Sequence, residues 1–314
     1  MNDKKKEPLF HIVKRDALPW YQSVGIRAIA IVLALIVCAV VTMILTGTNP
    51  IQVFQSIIAG AFGSARKTWI TFQNIAILLL ISLALTPAFK MKFWNIGGEG
   101  QVLIGGLASA ACMICLAEKL PAALVVVCMI VTSIAAGAFW AFIPAFFKAK
   151  WNTNETLSTL MMNYIATQLV AFFTIVWEVP KGSGKIGIIN QNSNVGWLPQ
   201  AFGSKYLLSI LVAVLITVFM YIYLKYSKHG YEISVVGESE NTAKYVGIKV
   251  EKVIMRTMAL SGAVCGLVGL LLVGGINHTI TTTIAGGQGF TAVMVSWMSK
   301  FNPLTMVFSS FLII

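Results

Sequence analysis

Charged residues fall in short clusters along the chain, and the stretches between them are apolar and almost free of charge. Residues 25–45 carry one charge, Arg27, near their start. Residues 70–89, 121–147, 157–177, 206–224 and 257–277 carry none. Each run is close to the ~20 residues that a helix needs to cross the hydrocarbon core of a bilayer. A soluble helical core accounts for one such run, not six. The pattern predicts an all-α, polytopic membrane protein with about eight transmembrane helices, some of them broken or re-entrant.

Threading the chain through these runs gives an order. Residues 1–24 read as a polar tail, amphipathic around Phe10–Trp20, with Trp20 and Tyr21 where interfacial aromatics belong. The first span leads to a partly helical segment from Thr46 to Trp69. The second stops at Pro87, ahead of Lys90 and Lys92. The third begins near Gly98 and exits by Glu118 and Lys119, and the fourth returns to Lys148 and Lys150. The fifth runs from Thr156 to near Glu178. A loop over 178–204, rich in Gly, Ser, Asn and Gln, precedes the sixth span, which ends at Lys225. A polar stretch over 227–252 follows, and the seventh span leaves after Arg256. Leu304–Ile314 is apolar but only half a span long. The organisation expected is a tail over 1–24 and a transmembrane domain over 25–314.

Charge fixes an expected orientation. The net charge is +12, from 23 Lys and Arg against 11 Asp and Glu. With the N-terminus inside, basic residues in the inner segments outnumber those in the outer ones by more than two to one, as expected for cytoplasmic loops. The excess charge therefore reads as topology, with a cytoplasmic N-terminus in the cell membrane, and not as a nucleic-acid surface. The first apolar run begins too late, and is too long, for a cleavable signal peptide. All five cysteines lie inside apolar runs; Cys112 and Cys115 read as buried thiols rather than a metal or redox pair.

Two glycine-interrupted segments stand out: Asn95-Ile96-Gly97-Gly98-Glu99-Gly100-Gln101 and Ala285-Gly286-Gly287-Gln288-Gly289-Phe290. Broken helices at corresponding places in two halves are a sequence pointer to a transport path, because freed backbone groups need protein or a watery cavity around them. Glu99 has two readings. Within the bilayer a carboxylate is costly and functional; at the cytoplasmic interface beside Lys90 and Lys92 it costs little. Gln73, Asn74, Asn163 and Gln168 are uncharged polar groups within spans, suited to interhelical hydrogen bonds or to a path. The candidate path residues are Asn74, Asn95, Glu99, Gln101, Asn163 and Gln288. In the inner loop, Gly237-Glu238-Ser239-Glu240 reads as a helix start and Gly247 as its stop, which fits either a docking helix or a solvated loop. Catalytic candidates are lacking: the histidines, His11, His229 and His278, are far apart, there is no phosphate-binding loop, and no acidic cluster suggests a metal.

Trp94-Asn95-Ile96-Gly97-Gly98-Glu99-Gly100-Gln101 resembles the F-N-I-G-x-E-G-Q signature of nucleoside-type ABC importer permeases, within the wider simple-sugar permease family. Asn154-Glu155 with Thr159-Leu160-Met161-Met162-Asn163-Tyr164-Ile165-Ala166 is similar to the family's N-E-x-x-x-T-L-M-x-N-Y-I-A. Gly237 to Ile248 is similar to G-x-N-x-x-A-A-x-Y-x-G-I, with Ser239 and Thr242 in place of the usual Asn and Ala. Gly286 to Pro303 resembles the late G-x-G-F…N-P segment. The resemblance implies a permease subunit of an ATP-driven importer, itself not an enzyme and holding no cofactor. A partner ATPase would bind ATP, with a second permease and a substrate-binding lipoprotein completing the assembly. It also implies that Gly237, Glu238, Asn241, Ala243, Tyr245 and Gly247 belong to the element that docks on the ATPase. Family members usually continue for several dozen residues more, so a chain shortened at its C-terminus is expected. The alternatives are a simple-sugar permease of the same kind and an ion-coupled transporter acting alone.

Overall fold

The computed structural model describes residues 19–200 and 203–314; the tail over residues 1–18, with most of its expected amphipathic stretch, lies outside them. The chain divides into two units, residues up to Ser64 and residues from Ala65 onward. The first holds α1 (Trp20–Thr46), which ends on left-handed Gly47, and α2 (Pro50–Phe62). The Asn49 side chain starts α2 by accepting the Ile51 N–H, and Pro50 occupies the first turn, where a missing N–H costs nothing.

The second unit contains α3 (Ala65–Lys90), α4 (Gly98–Leu116), α5 (Ala122–Trp151), α6 (Glu155–Val176), α7 (Leu207–Tyr226), α8 (Lys228–Glu238), α9 (Glu240–Tyr245), α10 (Val250–Leu270), α11 (Gln288–Met298) and α12 (Pro303–Ile313). A π-helical turn, Leu271–Asn277, prolongs α10. Among the described residues, seven helices are long and apolar enough to cross a bilayer: most of α1, then α3, α4, α5, α6, α7, and α10 with its extension. The protein is therefore all-helical and polytopic; α11 and α12, at 11 residues each, are half-spans.

Helix α3 is the axis of this unit. It is apolar all round and buried from Ile75 to Phe89, as a helix enclosed by neighbours must be. Helices α7, α10, α11 and α12 pack around it. Pro87 does not end it, contrary to the sequence expectation. A proline forfeits only one backbone bond, and the final turn is held from outside by Gly237 of α8, whose Cα lies so close to the Lys90 carbonyl that no side chain fits between.

Beside it, α4, α5 and α10 touch through backbone. Gly262 meets Gly137, Gly266 meets Ser133, Gly137 and Gly105, and Gly269 meets Gly106 and Val102. A Cβ on Gly105, Gly137, Gly262, Gly266 or Gly269 would overlap main-chain atoms of the neighbouring helix. Small residues one turn apart allow this approach, and van der Waals packing is what holds helices together where lipid removes the hydrophobic drive. The loop over 178–200 closes the far end. Ile189 N–H donates to the His278 carbonyl (2.8 Å), Leu198 N–H to the Gly274 carbonyl (2.8 Å), and Asn190 Nδ2 to the Met113 carbonyl (2.8 Å). In that loop the Gly182 N–H, then the Gly184 N–H, hold the Glu178 carboxyl below its usual range. This support is present above the ordinary carboxyl range and fades as pH falls through the lowered value.

Substituting Gly266→Leu should force α5 and α10 apart and destabilise the fold by about 3 kcal/mol, whereas Gly60→Leu on α2, with open space around it, should leave stability unchanged. Melting of the two detergent-solubilised variants beside the parent checks this; equal melting would dismiss the glycine contact as a packing determinant.

Candidate functional site: a junction of two broken segments

Helix α3 ends on left-handed Lys92 (φ 61°), with Phe93 N–H donating to the Ala88 carbonyl. The chain then turns back into the protein without helix over 93–97. Its polar groups are met by side chains. Asn95 is fully buried; its Oδ1 accepts the Gly97 N–H (3.0 Å) and Gln101 Nε2 (3.2 Å), and its Nδ2 donates to Ser261 Oγ of α10 (3.1 Å). From α6, Asn163 takes the Gly100 N–H on Oδ1 and gives Nδ2 to the Ile96 carbonyl, both at 2.9 Å, while Thr159 Oγ1 accepts the Ile96 N–H (3.3 Å). Thr159 and Asn163 stand one turn apart, so one face of α6 holds the whole segment.

These partners set the depth of the junction. Asn163 lies eight residues beyond Glu155 and Ser261 eleven beyond Val250, about 12–16 Å from the basic end of the bundle at helical rise. Helix α4 therefore starts inside the bundle, and Glu99, 9% exposed, lies buried there with it.

Glu99 is held by the second glycine segment. Its Oε1 accepts the Gly287 N–H (2.9 Å) and its Oε2 the Gly289 N–H (2.8 Å). After the π turn, the chain descends without helix over 278–287, through left-handed His278, Gly286 and Gly287, and starts α11 against Glu99. Gly289 lies so close to the Glu99 backbone that a Cβ would overlap its nitrogen. From this point α4 and α11 run in opposite directions. Helix α11 ends at the basic end, where Trp297 meets Trp94 (centroids 5.1 Å apart) and Phe301 stacks on Phe89 (6.2 Å).

Two helix N-termini, each bearing about half a positive charge, thus converge on one buried carboxylate. Glu99 lies in the first turn of α4 and caps α11, so its charge offsets both dipoles and its oxygens satisfy two amides that have no partner within their own helix.

The structure brings five of the six sequence-selected path residues, Asn95, Glu99, Gln101, Asn163 and Gln288, to this junction. Asn74 takes no part in the junction's hydrogen bonds; it is half-buried on α3, sixteen residues before Lys90. The buried side-chain oxygens of Gln101 and Gln288 have no hydrogen-bond partner among the described residues, nor does that of Gln73 beside Asn74. Sequence reasoning missed Ser261, a lone serine in an apolar run that offered no signal. It also left Thr159 off the site, although its four-residue spacing from Asn163 could have found it.

The residues expected to dock a partner lie at the basic end. Ser239 caps α9 by accepting the Thr242 N–H (3.2 Å), and Gly247 ends it in a left-handed conformation (φ 82°). Ala243 is fully buried, whereas Tyr245 is 93% exposed. Gly237 and Glu238 belong to the last turn of α8 and not to α9. They bind it to the end of α3, Gly237 against the Lys90 carbonyl and the Glu238 carbonyl accepting from Lys92 Nζ (3.5 Å). A cleft of about 230 Å³ lies here, lined by Met91, Phe93, Lys148, Glu155 and residues 236–240 among others.

Glu99→Gln keeps the size of the side chain but turns an amide NH₂ toward one of the two glycine N–H groups. It should lower stability by about 2–3 kcal/mol, and Gly289→Ala should separate the two segments and abolish transport. Thermal melts and uptake assays read both; a Glu99→Gln protein as stable as the parent would refute the capping role.

The family described as branched-chain amino acid transport system / permease component matches residues 68–314. The guanosine ABC transporter permease protein NupP of Bacillus subtilis is 30% identical over 289 residues, covering 91% of this chain and 82% of the relative. The nucleoside ABC transporter permease protein NupB of Lactococcus lactis is 26% identical over 300 residues, covering 93% and 82%. The glucose ABC transporter permease protein TsgB13 of Haloferax volcanii is 26% identical over 297 residues, covering 91% and 77%. No solved structure matches the chain. With its glycine-broken helices meeting at Glu99 and a family match over nearly all of the larger unit, the chain belongs to the permease components of ABC transporters.

Proposed function

We propose that this chain is the membrane-spanning subunit of an ATP-driven importer for nucleosides, working by alternating access in the cell membrane with its basic end and N-terminus in the cytosol. The observation that carries the reading is the physical continuity between α8–α9 and the junction. Gly237 and Glu238 grip Lys90 and Lys92 at the end of α3, and Asn95 and Glu99 follow five and nine residues after Lys90. In this reading, movement of α9 pulls on the non-helical segment that leads into α4 and its tie to α11.

In this reading a cytosolic ATPase docks over α9 and Tyr245 and supplies the ATP-binding site, so that the permease holds no cofactor. A second permease subunit and a substrate-binding lipoprotein complete the assembly. The Gln101 and Gln288 amide oxygens, uncharged and without a hydrogen-bond partner among the described residues, suit a path that contacts polar, neutral solutes without retaining them, because tight sites slow release. Nucleosides are favoured because two of the similar permeases are named for guanosine and nucleoside transport. A simple sugar is the second reading, favoured by the relative named for glucose. An ion-coupled carrier fits poorly: Glu99 is the ionisable group at the junction, and both its oxygens are already occupied by backbone.

Uptake of labelled guanosine by cells holding the complete transporter should cease when the partner ATPase is inactivated and should survive collapse of ion gradients; the reverse pattern overturns the importer reading. Tyr245→Ala should weaken copurification of the ATPase by roughly thirtyfold, about 2 kcal/mol for a contact at the centre of an interface, with melting unchanged. Undiminished copurification would remove α9 from the interface.

A further inference from the structure

Away from the junction, the basic end carries a second cavity, of about 390 Å³, between the ends of α3 and α7 and the turn joining α11 to α12. Lys90, Lys225 and Lys300 line it together with Tyr221 and Asn302, and no carboxylate does. None of the three lysines forms an ion pair among the described residues; Lys225 Nζ donates to Tyr221 Oη at 3.0 Å. Three lysines line one cavity with no carboxylate among its lining residues, an arrangement that an anion would complement.

The wall of the cavity is apolar on its other side, through Leu224, Phe301, Pro303 and Leu304. Directly along the same three helices runs an apolar groove of about 310 Å³, lined by Ile75 and Leu79 of α3, Val214 and Val218 of α7, and Val307 and Phe311 of α12 among others. Val218 precedes Tyr221, and Val307 follows Leu304, by three residues, so less than one helical turn separates cavity from groove. The surrounding faces of α7 and α12 carry exposed hydrocarbon among the described residues, including Leu215, Ile222 and Phe308.

We propose that this combined feature is a binding site for one anionic phospholipid of the leaflet at the basic end, its phosphate among Lys90, Lys225 and Lys300 and an acyl chain in the groove between α7 and α12. Basic pockets between transmembrane helices at headgroup depth suit such lipids. Charge selects the headgroup, and the groove distinguishes a lipid from free phosphate. The site is independent of the solute that is carried.

The test measures retention by the purified full chain in detergent, using native mass spectrometry with phosphatidylglycerol, phosphatidylcholine or inorganic phosphate added. Phosphatidylglycerol should be retained where phosphatidylcholine is stripped. Each lysine near an anionic lipid contributes roughly a fivefold preference, so Lys90→Gln, Lys225→Gln and Lys300→Gln combined should lower retention about a hundredfold. Combined Lys228→Gln, Lys244→Gln and Lys249→Gln, the same charge change elsewhere at this end, should not. Val214→Trp, at an exposed wall of the groove, should weaken phosphatidylglycerol but leave inorganic phosphate unaffected. Equal retention of the two lipids, equal effects of the two triple variants, or phosphate binding as tight as phosphatidylglycerol would overturn the proposal. Should the variants fail to fold, the parent protein still decides: it should melt higher in phosphatidylglycerol micelles than in phosphatidylcholine ones, and equal melting refutes the site.

Discussion

A carboxylate buried inside the helix bundle organises this protein. Without Glu99, two helices would begin in the interior with free N–H groups and unbalanced dipoles, where no water is at hand to satisfy them. With it, Gly287 and Gly289 donate to one side chain, and the two non-helical segments over 93–97 and 278–287 are tied together. The charge tolerates burial because it is bonded at both oxygens and faces two positive helix ends. The same contact explains Gly289: a residue with any side chain would hold the segments apart.

Around this tie the protein is divided by stiffness. Helices α4, α5 and α10 are locked backbone to backbone through glycines, and α3 is enclosed on all sides. The segment over 93–97, by contrast, is held by single side chains, Asn95, Thr159 and Asn163, and that over 278–287 by Glu99 and a backbone bond from Ile189. A transporter needs such a contrast, with bundles that move as bodies and a few short connections that change. The grip of α8 on the end of α3 places the connection to the basic end within a few residues of the tie, so a local push there has a short route inward.

Much of this was legible in the sequence. Charge-free runs near 20 residues long marked the spans because the bilayer sets their length and forbids charge. The Ser239 cap and the Gly247 stop of α9 could be read because capping is local chemistry. The glycine segments were legible as breaks, but not as partners: a contact between Glu99 and Gly287, 188 residues apart, leaves no periodic trace in one sequence. Glycines 137, 262, 266 and 269 looked like ordinary scatter in apolar runs, since which of them face another helix depends on packing. Pro87 misled, because a proline near a helix end can be tolerated when a neighbour holds the last turn.

The most direct measurement of the central contact is a carbon–nitrogen distance in the bilayer. Protein labelled with ¹³C at the Glu99 carboxyl and ¹⁵N at glycine, reconstituted in lipid, should show strong dipolar coupling between that carboxyl and the Gly287 and Gly289 amides, as oxygen–nitrogen separations of 2.9 and 2.8 Å require. A carboxyl with no glycine nitrogen within bonding reach would contradict the account.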